Sequence, residues 1–178
     1  MTIITYPGVL MTQIKKMFDQ FYDLGVMEIL DHRSWDIPVI AQDNPLVLII
    51  KILKTNDHAW VVDNLKDRHV VGVITEHDLL KGLAPPEVNT YSYGKFNKKV
   101  FYTTRDIDAD YLMNRDIVQC SSESSVRDVI IKMIDYRVRR IPIVDDGVLK
   151  GEITIKNLTN TILAMLTKLE QDAGEPNG

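Results

Sequence analysis

The chain has 178 residues, 45% of them hydrophobic and 26% charged, with a formal net charge of −4. Such values suit one compact unit, or two small halves sharing a core, and they exclude bulk attraction to nucleic acid or anionic lipid. Cys120 is the single cysteine, so no intrachain disulfide is possible. The longest strongly apolar run, Leu46–Ile50, falls far short of a bilayer span, and Lys15, Lys16 and Asp19 interrupt the apolar residues near the start. A cytoplasmic protein without a membrane segment is expected.

Leu10, Ile14, Met17, Phe18, Phe21 and Leu24 fall on one face of an N-terminal helix, with Gln13, Lys16, Asp19 and Gln20 opposite. A strand follows at Ile37–Ile40, then a helix over Leu46–Leu53 and strands at Ala59–Asp63 and Val70–Thr75, joined by a loop at Asn64–Arg68. Pro85-Pro86 opens a connection running to about Asp108. A strand at Ile117–Cys120 then leads to a helix over Ser124–Tyr136, apolar at 126, 129, 130, 133 and 134. Strands at Ile141–Val144 and Val148–Thr154 are joined by Asp146-Gly147, a strong hairpin signal. Leu158, Ile162, Met165, Leu166 and Leu169 line a last helix, and the polar tail EQDAGEPNG reads as mobile.

The two halves are one unit written twice. A shift of about eighty positions lays Ile37 on Ile117, Leu46 on Val126 and Ile50 on Ile130. With small gaps, Val61-Val62-Asp63 falls on Ile143-Val144-Asp145 and Gly72-Val73-Ile74-Thr75 on Gly151-Glu152-Ile153-Thr154. Asp78-Leu79 then falls on Asn157-Leu158. Each copy predicts a βαββα unit whose strand-helix-strand part is a crossover, the third strand antiparallel to the second. One such unit leaves an apolar sheet face uncovered, so two are expected to pack as a pseudo-twofold pair, an α/β fold with mixed sheets. The division expected is an extension over 1–25, copies over 26–84 and 109–170, a linker over 85–108 and a tail over 171–178.

Thr75 ends a strand and opens a helix, where backbone N–H groups favour an anion. Asp78, one turn on, offers two acceptor oxygens suited to a ribose cis-diol. The same T-x-x-D spacing also makes a helix capping box, and Thr154 with Asn157 repeats it in neutral form. Arg139 and Arg140 supply guanidinium forks that pair with phosphate, and Lys156 adds a third cation. Arg137 fits a solvated helix end. Asp57 and His58 stand in the first copy where Arg139 and Arg140 stand in the second.

Gly72-Val-Ile-Thr75-Glu-His-Asp78-Leu and Gly151-Glu-Ile-Thr154-Ile-Lys-Asn157-Leu resemble the G-x-[IV]-T-x-x-[DN]-L end of a cystathionine-β-synthase (CBS) motif. Pro142-Ile-Val-Asp145 resembles the P-V-V-D run ahead of it. The resemblance covers roughly 26–83 and 109–170 and implies a Bateman module, a tandem CBS pair that binds adenosyl ligands rather than catalysing a reaction. It implies a main cleft of Thr75, Asp78, Arg139, Arg140 and Lys156 for AMP, ADP, ATP or S-adenosylmethionine. A weaker cleft would combine Thr154 and Asn157 with His58 and Asp57. It also implies a homodimer that regulates another protein, with the apolar stripe Leu158–Leu169 seeking a partner.

Two alternatives stand beside it. Residues 91–105, YSYGKFNKKVFYTTR, hold four cations, five aromatics and no acid, a composition that suits single-stranded nucleic acid. The other is a dimerisation module without a ligand. His32, His58, His69 and His77 show no metal-ligand spacing, and no phosphate-binding glycine loop is present.

Overall fold

The structure, a computed structural model, describes residues 8–30, 37–84 and 107–174. Pro85-Pro86, the basic and aromatic run 91–105 and the last four residues lie outside them. The described residues fall into two compact units, one drawn from the ranges 1–32, 118–144 and 150–178, the other from 33–117 and 145–149.

The second of these carries the first copy's sheet and is called the acidic unit for Asp57 and Glu76 at the ends of its strands; the other is called the basic unit for Arg139, Arg140 and Lys156 at the equivalent positions. β1 (Val39–Ala41) runs parallel to β2 (His58–Val62), with α3 (Leu46–Leu53) as the crossover, and β3 (Val70–Thr75) returns antiparallel to β2. α3 is apolar almost all round. It buries Leu46, Ile49 and Leu53 against Ile40, Ala59, Val61 and Ile74 and leaves Val47 and Ile50 exposed. A short 3-10 turn, Glu76–Asp78, leads into α4 (Leu79–Leu83).

The other, the basic unit, repeats the plan with α6 (Val126–Asp135), β4 (Arg140–Asp145), β5 (Val148–Thr154) and α7 (Ile155–Gly174), except that the hairpin tip 145–149 belongs to the acidic unit. β4 pairs with β5 across Asp146 and Gly147, both at positive φ, the backbone of a type I′ hairpin. The strand expected at Ile117–Cys120 reduces to one parallel bridge, Cys120 to Ile143. Pro142 is the reason. In the first copy the equivalent Trp60 donates its N–H to the Pro38 carbonyl at 2.8 Å, whereas Pro142 has no N–H to offer Val118, and the ladder stops.

Each unit is completed by a short helix from the other copy. α2 (Val26–Ile29) opens the first copy in sequence yet belongs to the basic unit, where Val26 N–H donates to Ser124 O (3.0 Å) and Val126 N–H to Leu24 O (2.8 Å). α5 (Ala109–Leu112) opens the second copy yet belongs to the acidic unit, where Ala109 N–H donates to Asn44 O (3.0 Å) and Leu46 N–H to Ile107 O (2.9 Å). The bonds correspond one for one. Immediately after each short helix a large side chain lies on the glycine of the opposite motif: Leu30 on Gly151, Met113 on Gly72. The glycine of G-x-[IV]-T is thus a packing requirement, because a Cβ on Gly151 would stand 2.6 Å from Leu30 Cδ1 and one on Gly72 2.4 Å from Met113 Sδ.

Three residues of the α7 stripe expected to seek a partner, Leu158, Ile162 and Met165, find cover inside the chain. α1 (Gly8–Asp23) buries Met17 and Phe21, and Leu158, Ile162 and Met165 join Phe18, Phe21, Tyr22 and Leu24 around one core. Two amphipathic faces, one from each end of the sequence, satisfy each other. The stretch Glu170–Gly174, expected in the mobile tail, is the last part of α7.

The glycine contact sets a prediction. Gly151→Ala should cost about 1–3 kcal/mol through overpacking, and Leu30→Ala about 2–4 kcal/mol through the cavity it leaves. Since the new methyl fills part of that cavity, the double variant should lose less than the sum. Urea denaturation of the four proteins measures this, and additive losses would count against the contact.

Candidate functional site

Thr75, Asp78 and His58 lie in the acidic unit. Arg139, Arg140, Thr154, Lys156 and Asn157 lie in the basic unit. In both, the residue before a central strand is tied to the turn after the next strand. Glu76 N–H donates to Asp57 O (3.4 Å) and Ile155 N–H to Arg139 O (3.2 Å). These equivalent bonds gather the candidate residues at one end of each unit. They also bring opposite charges to equivalent places. The basic unit has Arg139, Arg140 and Lys156 there, and the acidic unit has Asp57, Glu76 and His77, with His58 buried beneath.

Asp78 is 92% buried, with 8% of its surface exposed. Its Oδ2 accepts from Thr75 N–H (2.9 Å) and from Thr75 Oγ1 (2.8 Å), while its Oδ1 accepts from Lys81 Nζ (2.7 Å). Burial pushes the carboxyl up, but the bonds from Lys81 and Thr75 outweigh it and hold the group below the usual carboxylate range. Asn157 copies the arrangement without charge: its Oδ1 accepts from Thr154 N–H (2.9 Å) and from the Thr154 hydroxyl, and its own N–H donates to Thr154 Oγ1 (3.2 Å).

A third copy of this geometry occurs where no ligand role is expected. At the start of α6, Asp128 Oδ2 accepts from Ser125 N–H (2.9 Å) and Ser125 Oγ (2.8 Å). The capping box is therefore a general helix start in this chain and not a ligand signature. What sets Asp78 apart is its burial and its lysine; Asp128 is exposed. The Lys81 contact was not anticipated in the sequence, although the i, i+3 spacing from Asp78 was there to be read.

His58, assigned to the weaker cleft, is 2% exposed. It opens the wholly buried strand β2, places Nδ1 3.0 Å from Asp57 Oδ1, and sets its ring edge-on to Trp60 at 5.5 Å. Arg137 ends α6 in the left-handed region, φ 54°. Its N–H reaches Ile134 O and the Val138 N–H reaches Met133 O (3.1 Å), a Schellman cap in which Arg takes the usual glycine position. Arg139 is exposed, Arg140 half-buried and Lys156 exposed in the first turn of α7. No group of three His, Cys, Asp or Glu among the described residues could hold a metal ion, and none of their helices is long and apolar enough to cross a membrane.

A sequence model of the CBS domain matches residues 26–85 and 105–164, more than half of the chain. An uncharacterized protein of Methanopyrus kandleri is 29% identical over 113 residues, covering 63% of this chain and 50% of that protein; the match thus spans half that relative's length. Among solved structures, the CBS domain of a CBS-domain-containing membrane protein from Sphaerobacter thermophilus gives a TM-score of 0.65 at 24% identity, covering 86% of this chain and 97% of that one. CbpB in complex with c-di-AMP gives 0.66 at 19% identity, covering 90% and 99%. A protein of Methanocaldococcus jannaschii, described as a candidate archaeal homolog of γ-AMPK, gives 0.65 at 18% identity, covering 79% and 50%.

Asp78 sets a second prediction. A carboxyl held below its unfolded pKa adds stability above that value, which is lost as pH falls through the folded pKa. Asp78→Asn should therefore flatten the decline of stability below about pH 4. At neutral pH it should cost less than Asp78→Ala, which removes a cap worth about 1 kcal/mol, because an amide fills the same box at Asn157. Urea midpoints across the acid range test both, and an undiminished acid decline in Asp78→Asn would refute the assignment.

Proposed function

The chain belongs to the CBS-domain family, and we propose that within it this protein is a regulatory sensor that binds an adenosyl ligand and catalyses nothing. Thr75 and Asp78 take the ribose diol. Arg139, Arg140 and Lys156 take the phosphates, which favours AMP, ADP or ATP over S-adenosylmethionine. The observation that carries the reading is the opposite charge at equivalent ends of the two copies: Arg139, Arg140 and Lys156 in the second, the carboxylates of Asp57 and Glu76 in the first. A phosphate gains charge-assisted bonds from the cations and repulsion from the carboxylates. CbpB, which shares the fold, is a complex with the adenine dinucleotide c-di-AMP. The second site, of Thr154, Asn157 and His58, is weak because His58 is buried against Trp60 and Asn157 carries no charge.

Titration calorimetry with ATP and AMP tests this. One nucleotide per chain is expected, with no turnover. Charge-assisted bonds contribute on the order of 1.5–3 kcal/mol each, so Arg140→Ala and Asp78→Ala should each weaken binding by roughly tenfold or more. Asn157→Ala should leave it nearly unchanged. Two equal sites, or binding that survives both of the first two substitutions, would overturn the assignment.

The protein acts as a cytoplasmic homodimer in this reading and passes its state to a partner protein. Each unit exposes apolar residues on one helix, Val47 and Ile50 on α3 and Ile131 and Ile134 on α6, which suit burial against a second copy. Light scattering at micromolar concentration should give twice the chain mass, and Val47→Glu with Ile134→Glu should give a folded monomer. A wild-type monomer would end the dimer proposal.

A further inference from the structure

We infer that Lys81 is a built-in competitor for the diol acceptor, so that ligand binding must displace an ammonium from Asp78. The inference rests on the adenosyl reading above and adds to it a residue that sets affinity and sugar specificity. A carboxylate offers about four lone-pair sites. Three are occupied: Thr75 N–H and Oγ1 hold Oδ2, and Lys81 Nζ holds Oδ1 at 2.7 Å. A vicinal diol brings two donors, so one resident must leave.

The Thr75 bonds form the turn that starts the helix, and opening them would unwind it. Lys81 is the resident that can go. Its side chain is 26% exposed against 12% for that of Asp78, its stem is long, and the Leu112 carbonyl at the end of α5 lies 3.5 Å from Nζ as a second acceptor. The device exists in one copy only. The position equivalent to Lys81 is Asn160, three residues after Asn157, which carries no charge.

Two consequences separate this role from a merely structural ion pair. Losing a cation beside a bound polyanion should by itself weaken binding, so a gain on removing Lys81 is diagnostic. The gain should also require the diol, since a sugar with one hydroxyl can use the single vacant lone-pair site and leave Lys81 in place.

The test is titration of ATP and 2′-deoxy-ATP into wild type, Lys81→Met and Lys81→Gln, with thermal unfolding to confirm that each variant folds. A partly exposed ion pair contributes up to about 1 kcal/mol, so ATP affinity should rise about fivefold in both variants while 2′-deoxy-ATP affinity stays level or falls. Unchanged or weaker ATP binding in both folded variants overturns the competitor and leaves the adenosyl reading standing. An equal gain for both nucleotides overturns it as well. Failure of wild type and variants alike to bind either nucleotide overturns both proposals.

Discussion

The contact of Leu30 with Gly151, and of Met113 with Gly72, is the constraint on which the architecture depends. A strand-helix-strand-strand unit of this size has an apolar sheet and too little helix to cover it. Here the missing cover is a four-residue helix borrowed from the other copy. It can lie close only because the strand beneath it has no side chain at the crossing point. The motif glycine, the short helix and the large residue after it are thus one device in three pieces. The paired backbone bonds that anchor α2 to Ser124 and α5 to Asn44 set its register.

The strands and long helices were legible because their periodicities are local. α3 begins and ends where the apolar run does, and the Asp146-Gly147 turn has the backbone its sequence demands. The exchange was not legible. VMEI and ADYL are too short for a periodic signal, and nothing in a linear pattern says which copy a four-residue helix will cover. The α7 stripe shows the same limit in reverse: amphipathicity shows that a face needs covering, but not that α1 covers it. The shortened strand at Cys120 follows from one proline lying on the neighbouring strand, which only the pairing reveals.

The sequence located the turns after Thr75 and Thr154, while the bonding within them was partly hidden. Thr75 and Asp78 do begin a helix together, yet the bonds that join them are those of Ser125 and Asp128, an exposed cap. Burial distinguishes the two, and burial depends on the whole unit. The charge contrast between the copies, by comparison, could be read directly, since it needs only the alignment of Asp57-His58 with Arg139-Arg140. Two equivalent turns thus carry different charges, Asp57 and Glu76 in one copy and Arg139 and Lys156 in the other.

The exchanged helices also bear on the order in which the chain can fold as it is made. α1 and α2 are synthesised first, but their core partners α6, β4 and α7 lie roughly a hundred residues downstream, so the basic unit cannot close until nearly the last helix is available. Until then Phe21, Val26 and Ile29 remain apolar surface without cover. The acidic unit waits less, needing only α5 and the Asp146-Gly147 hairpin tip beyond its own sheet. Folding should therefore proceed from the middle of the chain outward, its slow step being the capture of the N-terminal helices by the C-terminal half.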